Sequence, residues 1–366
     1  MAHKDRIARA RQALYGARID VLLITPGSDL RYLTGYNAHP LERLTCLVVP
    51  AHEAPFLVVP RLEKPAAEAS TASELGIEIV PWDETEDPYA LVASRLPHEV
   101  RRVGLDNRMW AEKALAFRRA LPQADQKLAG DVLRELRMRK SPEEVESLRR
   151  AGAAIDSVHE RMGEFLRAGR TEREVARDIK DAILTAGHAT AEFAIVASGP
   201  NGASPHHEVS DRVIQAGEPV VVDVGGTMAD GYGSDSTRTY AVGEPPAEFV
   251  RYYEVLLRAQ VTQCDAVRPG IEAQQLDAVG RDIIAEAGYG EFFVHRTGHG
   301  IGLDGHEEPY IVGGNDLVLE PGMTFSIEPG IYLPGRHGAR IEDIVVCTDS
   351  GVERFNLTSR ELALLP

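Results

Sequence analysis

Short apolar runs recur through the first third of the chain, at DVLLITP (20–26), CLVVP (46–50), PFLVVP (55–60), IEIVPW (77–82) and VGLDN (103–107). Between them apolar residues fall at helical intervals, and short β-rich runs alternating with helices predict an α/β layered domain. The opening MAHKDRIARARQALYGARID (1–20) sets apolar residues at helical spacing among many charges, without the continuous apolar stretch of a signal peptide. Around 125–142 the pattern turns polar and charged, ending in Ser141-Pro142-Glu143-Glu144. That is a capping box with proline at the first helical position, and it predicts a long helix reaching about Leu166. The boundary is expected near residue 130, giving an N-terminal domain 1–130 and a second domain 131–366.

The second region repeats its own pattern. Gly169 to Gly187 (GRTEREVARDIKDAILTAG) has the same length as Gly270 to Gly288 (GIEAQQLDAVGRDIIAEAG), and Asp181, Ile183, Ala186 and Gly187 match Asp282, Ile284, Ala287 and Gly288. Each helical stretch is followed by a glycine-rich histidine loop, SGPNGASPHHE (198–208) or TGHGIGLDGHE (297–307). Each loop is followed by two acid-bearing β-type runs, VVVDVGG (220–226) with GYGSDSTRTY (231–240), and FSIEPGIY (325–332) with ARIEDIVV (339–346). Helix, histidine loop and acidic hairpin occurring twice in the same order predict two related αβ halves that face each other.

Composition narrows the classes. A chain of 366 residues exceeds the usual single-domain size, and its charged and apolar fractions are those of an ordinary globular protein. The net charge of −16 argues against a nucleic-acid partner, which would need clusters of Lys and Arg. Cys46, Cys264 and Cys347 are widely separated and lack metal or redox spacing, so three reduced thiols are expected. No apolar run is long enough to span a bilayer, and a cytoplasmic location is expected.

The halves would bring together Asp223, Asp235, His299, Glu328 and Glu342. Four ionised carboxylates converging on one point repel one another unless cations lie between them. Two divalent ions supply that compensation and can hold an activated hydroxide between Lewis acids roughly 3.5–4 Å apart, which makes a hydrolase. Singly, Asp223 also reads as a strand-end turn residue and Glu342 beside Arg340 as a salt bridge. Joint spacing and internal symmetry favour the metal reading. His299, between glycines, is the nitrogen ligand of choice. His206 and His306 occupy matching places in the two halves and suit contacts to substrate and oxyanion. His207 and His337 are expected as exposed loop histidines, and His295 as a neighbour of His299.

With these motifs, and RYLTGY (31–36) in the first domain, the chain resembles the pita-bread-fold metallopeptidases. It is similar to methionine aminopeptidases and especially to Xaa-Pro dipeptidases (prolidases) and Xaa-Pro aminopeptidases. The resemblance covers about 140–360 with strong motifs and 1–125 more weakly. It implies a small α/β N-terminal domain followed by a pseudo-symmetric catalytic domain, and a homodimer. It places the five metal ligands on Asp223, Asp235, His299, Glu328 and Glu342, makes Glu328 also the general base, and puts His206 and His306 against substrate. Tyr332 and Arg340 match the family's pair near the second metal, although Arg340 can also orient Glu342 or pair with Asp343. The donor set fits Mn²⁺ and tolerates Co²⁺ or Zn²⁺. The implied function is hydrolysis of Xaa-Pro dipeptides. The alternatives are an Xaa-Pro aminopeptidase acting on longer peptides and, in a different class, a non-catalytic peptide-binding relative.

Two features depart from the family pattern. One more residue than usual separates Asp223 from Asp235, which predicts an enlarged turn around 228–231. Prolidases also supply an arginine, between the His-Glu motif and the first metal glutamate, for the free carboxylate of a dipeptide. Between His306 and Glu328 this chain has neither Arg nor Lys. Losing one such charge-assisted contact costs roughly 1.5–3 kcal/mol. Arg43, in the loop from Tyr36 to Arg43, is either the replacement clamp or a solvated charge near Glu42.

Overall fold

The computed structural model describes residues 2–97 and 99–366. The chain divides into two compact units, Met1–Arg137 and Met138–Pro366, and the expected boundary at residue 130 lies at the start of helix Gly130–Met138.

The N-terminal unit is built on a mixed sheet of strands β1 (Val21–Ile24), β2 (Cys46–Pro50), β3 (Phe56–Pro60), β4 (Glu78–Trp82), β5 (Arg102–Leu105) and β6 (Asp125–Leu128), in the order β4-β3-β2-β1-β5-β6. The first five coincide with the apolar runs. β1, β2 and β3 are buried along their whole length, as continuous apolar strands at the centre of a two-sided sheet must be. β6 (DQKL) was not anticipated. It pairs with β5 alone, at the sheet edge, where a polar strand carries no apolar alternation to betray it.

In the second unit Ser141 caps helix Pro142–Glu160, and both arms of the capping box form, Ser141 N–H donating to Glu144 Oε2 at 2.9 Å. The helix stops at Arg161 (φ −95°, ψ 7°) and resumes as the short helix Met162–Phe165, so the single helix expected to Leu166 is broken. The two halves of the repeat are evident. Helices Glu172–Thr185 and Ala273–Glu286 each begin in a capping box, and each is followed by a glycine with positive φ, Gly187 and Gly288.

Each half then contributes a sheet. The first has β7 (Thr190–Ser198), β8 (Glu218–Thr227) and β9 (Gly233–Val242), with β17 (Ala363–Leu365) beside β9. The second has β10 (Gly298–Gly300), β11 (Glu307–Ile311), β12 (Thr324–Ile327), β15 (Asp343–Thr348) and β16 (Gly351–Arg354), in the order β11-β10-β12-β15-β16. The segment PGIYLPGRHG between the two glutamates contains its own hairpin, β13 (Gly330–Leu333) with β14 (His337–Arg340). Apolar side chains of helix Glu172–Thr185 and of β8 share one core cluster, including Val175, Ile179, Val220 and Val222. This leaves the opposite face of β8 and β9 for polar side chains.

Candidate metal centre

β8 and β9 pair without a bulge from Glu218 opposite Val242 to Thr227 opposite Gly233. Asp223 lies opposite Thr237 and Asp235 opposite Gly225, so these four alternate residues share one face. The turn between the aspartates closes with Met228 N–H donating to Tyr232 O at 2.9 Å and Gly231 N–H, at φ 95°, donating to Met228 O at 2.8 Å. Gly225 is required by packing: a Cβ there would fall 2.5 Å from the Phe193 ring.

In the second half Ile327 lies opposite Asp343, so Glu328 leaves β12 and Glu342 enters β15 at the same end of the pair. Main-chain bonds fix both. Glu328 N–H donates to Thr297 O at 2.8 Å, and Glu342 N–H donates across to Thr237 O of the first half at 3.0 Å. Thr237 Oγ1 also donates to Glu342 Oε2 at 2.8 Å. On the reverse face, Arg238 donates to Asp343 Oδ1 at 2.7 Å and fastens the two hairpins from behind.

His299 enters along β10, between strands so close that its flanking residues must lack side chains. A Cβ on Gly298 would lie 1.8 Å from Ser326 O, and one on Gly300 2.3 Å from Glu308 O. His299 Nδ1 donates to Gly300 O at 3.1 Å, which turns Nε2 toward Glu328 Oε1 (3.2 Å) and Asp235 Oδ2 (3.7 Å). Three overlapping sets bring ligand atoms within 4.8 Å of one another: Asp235, His299 and His306; His299, Glu328 and Glu342; Asp223, Asp235 and Glu342. All five expected ligands therefore converge, with His306 beside them.

The electrostatics of this cluster call for cations. Burial first, and then the neighbouring carboxylates, push Asp235 and Glu342 well above the ordinary carboxylate range. Asp223 is raised by burial too, with Arg340 opposing the shift. Burial also works against Glu328, but its hydrogen bond to His299 and the charge of that imidazole hold it down at about 2. Asp223 Oδ1 is buried without a hydrogen-bond partner. An orphaned carboxylate oxygen among acids that resist ionisation is what a site for hard divalent ions looks like before charge compensation.

Arg340, 3% exposed, is fully engaged: it donates to Asp223 Oδ2 at 2.6 Å, Tyr332 Oη at 2.8 Å, Thr237 Oγ1 at 3.1 Å and Pro205 O at 3.3 Å. It contacts Asp223, whereas Asp343 is served by Arg238. Tyr332, its hydroxyl pushed up to about 12 by burial, lies 2.8 Å from His295 Nε2. His295 Nδ1 donates to Arg296 O, so its Nε2 accepts from Tyr332. His295 thus supports Tyr332 and Arg340.

A cavity of about 490 Å³ opens over the cluster. His206 and His306 line it, as do Phe193, Ile195 and Arg296, which sequence reasoning passed over. His306 lies against His299, ring centroids 3.8 Å apart, and burial and the charges of His299 and Arg296 lower its pKa to about 4. Two histidines differ from expectation. His207 is half-buried and donates through Nε2 to Glu172 Oε2 at 2.8 Å, and His337 is buried with Nδ1 2.9 Å from Tyr252 Oη. In the N-terminal unit, Arg43 donates to Glu84 Oε1 at 2.6 Å and to Glu42 Oε1 at 2.7 Å.

Four converging carboxylates on the two acidic hairpins, with the imidazole of His299 on β10 and an open cavity above them, form the donor set that a metal-dependent hydrolase requires. The chain belongs to metallopeptidase family M24, whose domain matches residues 146–349, and a creatinase/prolidase N-terminal domain matches residues 6–139. The catalytic unit therefore has the pita-bread architecture. The chain is 53% identical over 361 residues to a probable dipeptidase PepE of Mycobacterium tuberculosis, covering 99% of this chain and 96% of the relative. It is 40% identical to an Xaa-Pro dipeptidase of Lactobacillus helveticus, covering 98% of each. The crystal structure of a recombinant prolidase from Thermococcus sibiricus superposes with a TM-score of 0.93 at 38% identity, covering 100% of both chains. Among the described residues no helix is long and apolar enough to cross a membrane.

Proposed function

We propose that this protein is an Xaa-Pro dipeptidase acting through two divalent ions, with Mn²⁺ preferred and Co²⁺ or Zn²⁺ as alternatives. The observation that carries the reading is the convergence of all five donors below a cavity that also holds His206 and His306. The similarity to an Xaa-Pro dipeptidase supports the substrate class. Asp223, Asp235, His299, Glu328 and Glu342 would hold the ions, which when bound supply Lewis acidity and an activated water.

The remaining steps belong to the chain's own side chains. Glu328 is ionised at neutral pH and accepts a proton; Ser326 Oγ donates to its Oε1 at 3.0 Å, and Oε2 is the oxygen we assign to the transfer. A proline amide nitrogen carries no hydrogen, so the departing nitrogen must be given one, and Glu328 is placed to return it. His306 is neutral at that pH. Its Nδ1 accepts from Arg296 Nη2 at 3.3 Å, which puts the proton on Nε2, the nitrogen that can donate to a carbonyl oxygen as negative charge develops. His206 contributes a second polar contact, Tyr332 and Arg340 order the Asp223 side of the cavity, and Phe193 and Ile195 give it an apolar wall. The protein works as a cytoplasmic homodimer in this reading, without nucleic-acid or membrane partners.

A second reading, an Xaa-Pro aminopeptidase, is favoured by the lack of any cation between His306 and Glu328. Metal-stripped protein supplied with Mn²⁺, Co²⁺ or Zn²⁺ and matched Xaa-Pro and Xaa-Pro-Yaa substrates separates the two. Faster cleavage of the dipeptide is expected. Faster cleavage of the tripeptide would make the protein an aminopeptidase, and no metal-dependent cleavage of either would remove the peptidase assignment.

A further inference from the structure

We infer that Arg296 is the residue that binds the free carboxylate of a dipeptide substrate in this chain. The inference rests on the dipeptidase reading and supplies the cation that reading lacks. In an Xaa-Pro dipeptide the carboxylate carbon is only two bonds from the scissile nitrogen, spanning about 1.46 and 1.52 Å. A residue that holds it must therefore stand close beside the metal-ligand cluster.

Two arginines line the cavity, Arg296 and Arg340. Arg340 is buried and committed to Asp223, Tyr332, Thr237 and Pro205. Arg296 is half-buried, and among the described residues its guanidinium makes no ion pair. Its contacts are His306 Nδ1 at 3.3 Å and the face of Tyr310, 4.3 Å from the ring centroid. His306 in turn lies on His299, so Arg296 stands one side chain away from the metal donors. A guanidinium held against an aromatic face keeps its fork of N–H donors available at the edge, the geometry that pairs with a carboxylate.

The backbone that carries Arg296 is fixed from below. Asp277 Oδ1 accepts from Thr297 N–H at 3.1 Å, Arg281 Nη2 donates to His295 O at 2.8 Å, and the two side chains pair with each other at 2.7 Å. The side chain thus projects into the cavity from an anchored segment, three residues before His299.

The test is the preference of the metal-loaded enzyme for an Xaa-Pro dipeptide over the corresponding Xaa-Pro amide, which lacks the negative charge. In the wild type the free acid is favoured. In Arg296→Leu that preference in kcat/KM falls roughly 10- to 100-fold, the loss expected for charge-assisted hydrogen bonds, and the change is carried mainly by KM. Arg296→Lys recovers part of it. An effect transmitted only through His306 would depress acid and amide alike, and that equal loss would overturn the inference. So would a wild type indifferent to the charge, or a preference abolished by Arg43→Ala and kept in Arg296→Leu. Wild type that cleaves neither compound with any of the three ions would instead bring down the dipeptidase reading itself.

Discussion

Arg340 Nη2 donates to Asp223 Oδ2 at 2.6 Å and leaves the other oxygen of that carboxylate buried and unpaired. The arginine therefore does two things to Asp223: it fixes the plane of the carboxylate, and it reserves Oδ1 for a partner of another kind. It is also a permanent positive charge among Asp223, Asp235, Glu328 and Glu342, and burial makes those acids dependent on it.

Replacing that arginine should accordingly cost more when the acids are ionised. Removing one partner of a buried pair destabilises by about 3–5 kcal/mol. Asp223, Asp235 and Glu342 have raised pKa values in the folded chain, so on acidification they take up protons before the unfolded chain does, and their mutual repulsion is relieved at low pH. In EDTA, Arg340→Ala should melt well below the wild type at mildly alkaline pH and less far below it at mildly acidic pH. A gap that does not narrow on acidification would mean that Arg340 stabilises by packing rather than charge.

The same raised acids predict how metal binds. Asp235 and Glu342 retain protons at pH values where ordinary carboxylates have lost them, and an incoming cation must displace these. Calorimetric titration of metal-stripped protein with Mn²⁺ in buffers of different ionisation enthalpy should show net proton release, with apparent affinity rising with pH. Binding without proton release would contradict the electrostatics described here.

Gly298 is the tightest point of the centre, since a Cβ there would lie 1.8 Å from Ser326 O on the neighbouring strand. Gly298→Ala must push β10 away from β12, and His299 with it. Overpacking of this kind costs about 1–3 kcal/mol or more. We expect a lowered melting temperature together with loss of metal-dependent hydrolysis. Gly16→Ala, in helix Ala2–Ala17 where the added methyl meets nothing outside its own helix within 4 Å, should keep wild-type stability or raise it by up to about 1 kcal/mol.

Outside the ligand set, Glu172 ties the first histidine loop to its helix. It accepts from Ser198 N–H (2.8 Å), Asn201 Nδ2 (2.9 Å), His207 Nε2 (2.8 Å) and Ser210 Oγ (2.7 Å). Burial opposes its ionisation, but these donors bring its pKa down from 4.5 to about 2. The folded pKa is depressed, so the stabilisation is complete above the unfolded value of 4.5 and is lost as pH falls from there toward about 2. Glu172→Gln should be less stable than wild type by about 2–3 kcal/mol at neutral pH, with the difference closing across that acid range in urea titrations. A difference independent of pH would refute the account of Glu172.

How much of this could be read in advance follows from what each feature depends on. The acidic strands were legible because ligands of one ion set must recur at spacings that put them on one face, and the sequence repeats the arrangement at Asp223/Asp235 and Glu328/Glu342. The strand β6 and the hairpin β13–β14 were not, since an edge strand and a tight connector carry no apolar alternation. His207 and His337 were misjudged for a different reason. Their partners, Glu172 and Tyr252, are 35 and 85 residues away in sequence, and only the tertiary fold brings them together. Arg296 had a local signal, its place in HRTGHG three residues before His299. The family pattern puts the clamp after His306, and the ten residues of sequence between Arg296 and His306 do not show that their side chains lie 3.3 Å apart.

In the proposed reaction five converging side chains hold two ions, and the centre so formed cleaves an Xaa-Pro bond. The most direct measurement titrates Mn²⁺ into metal-stripped protein while following both bound metal and Xaa-Pro dipeptide hydrolysis. No turnover is expected without metal, and a rise is expected that reaches its plateau at two ions per chain in wild type and is abolished in Asp235→Ala. Full activity at one bound ion, or hydrolysis that survives metal removal, would contradict the two-ion reading.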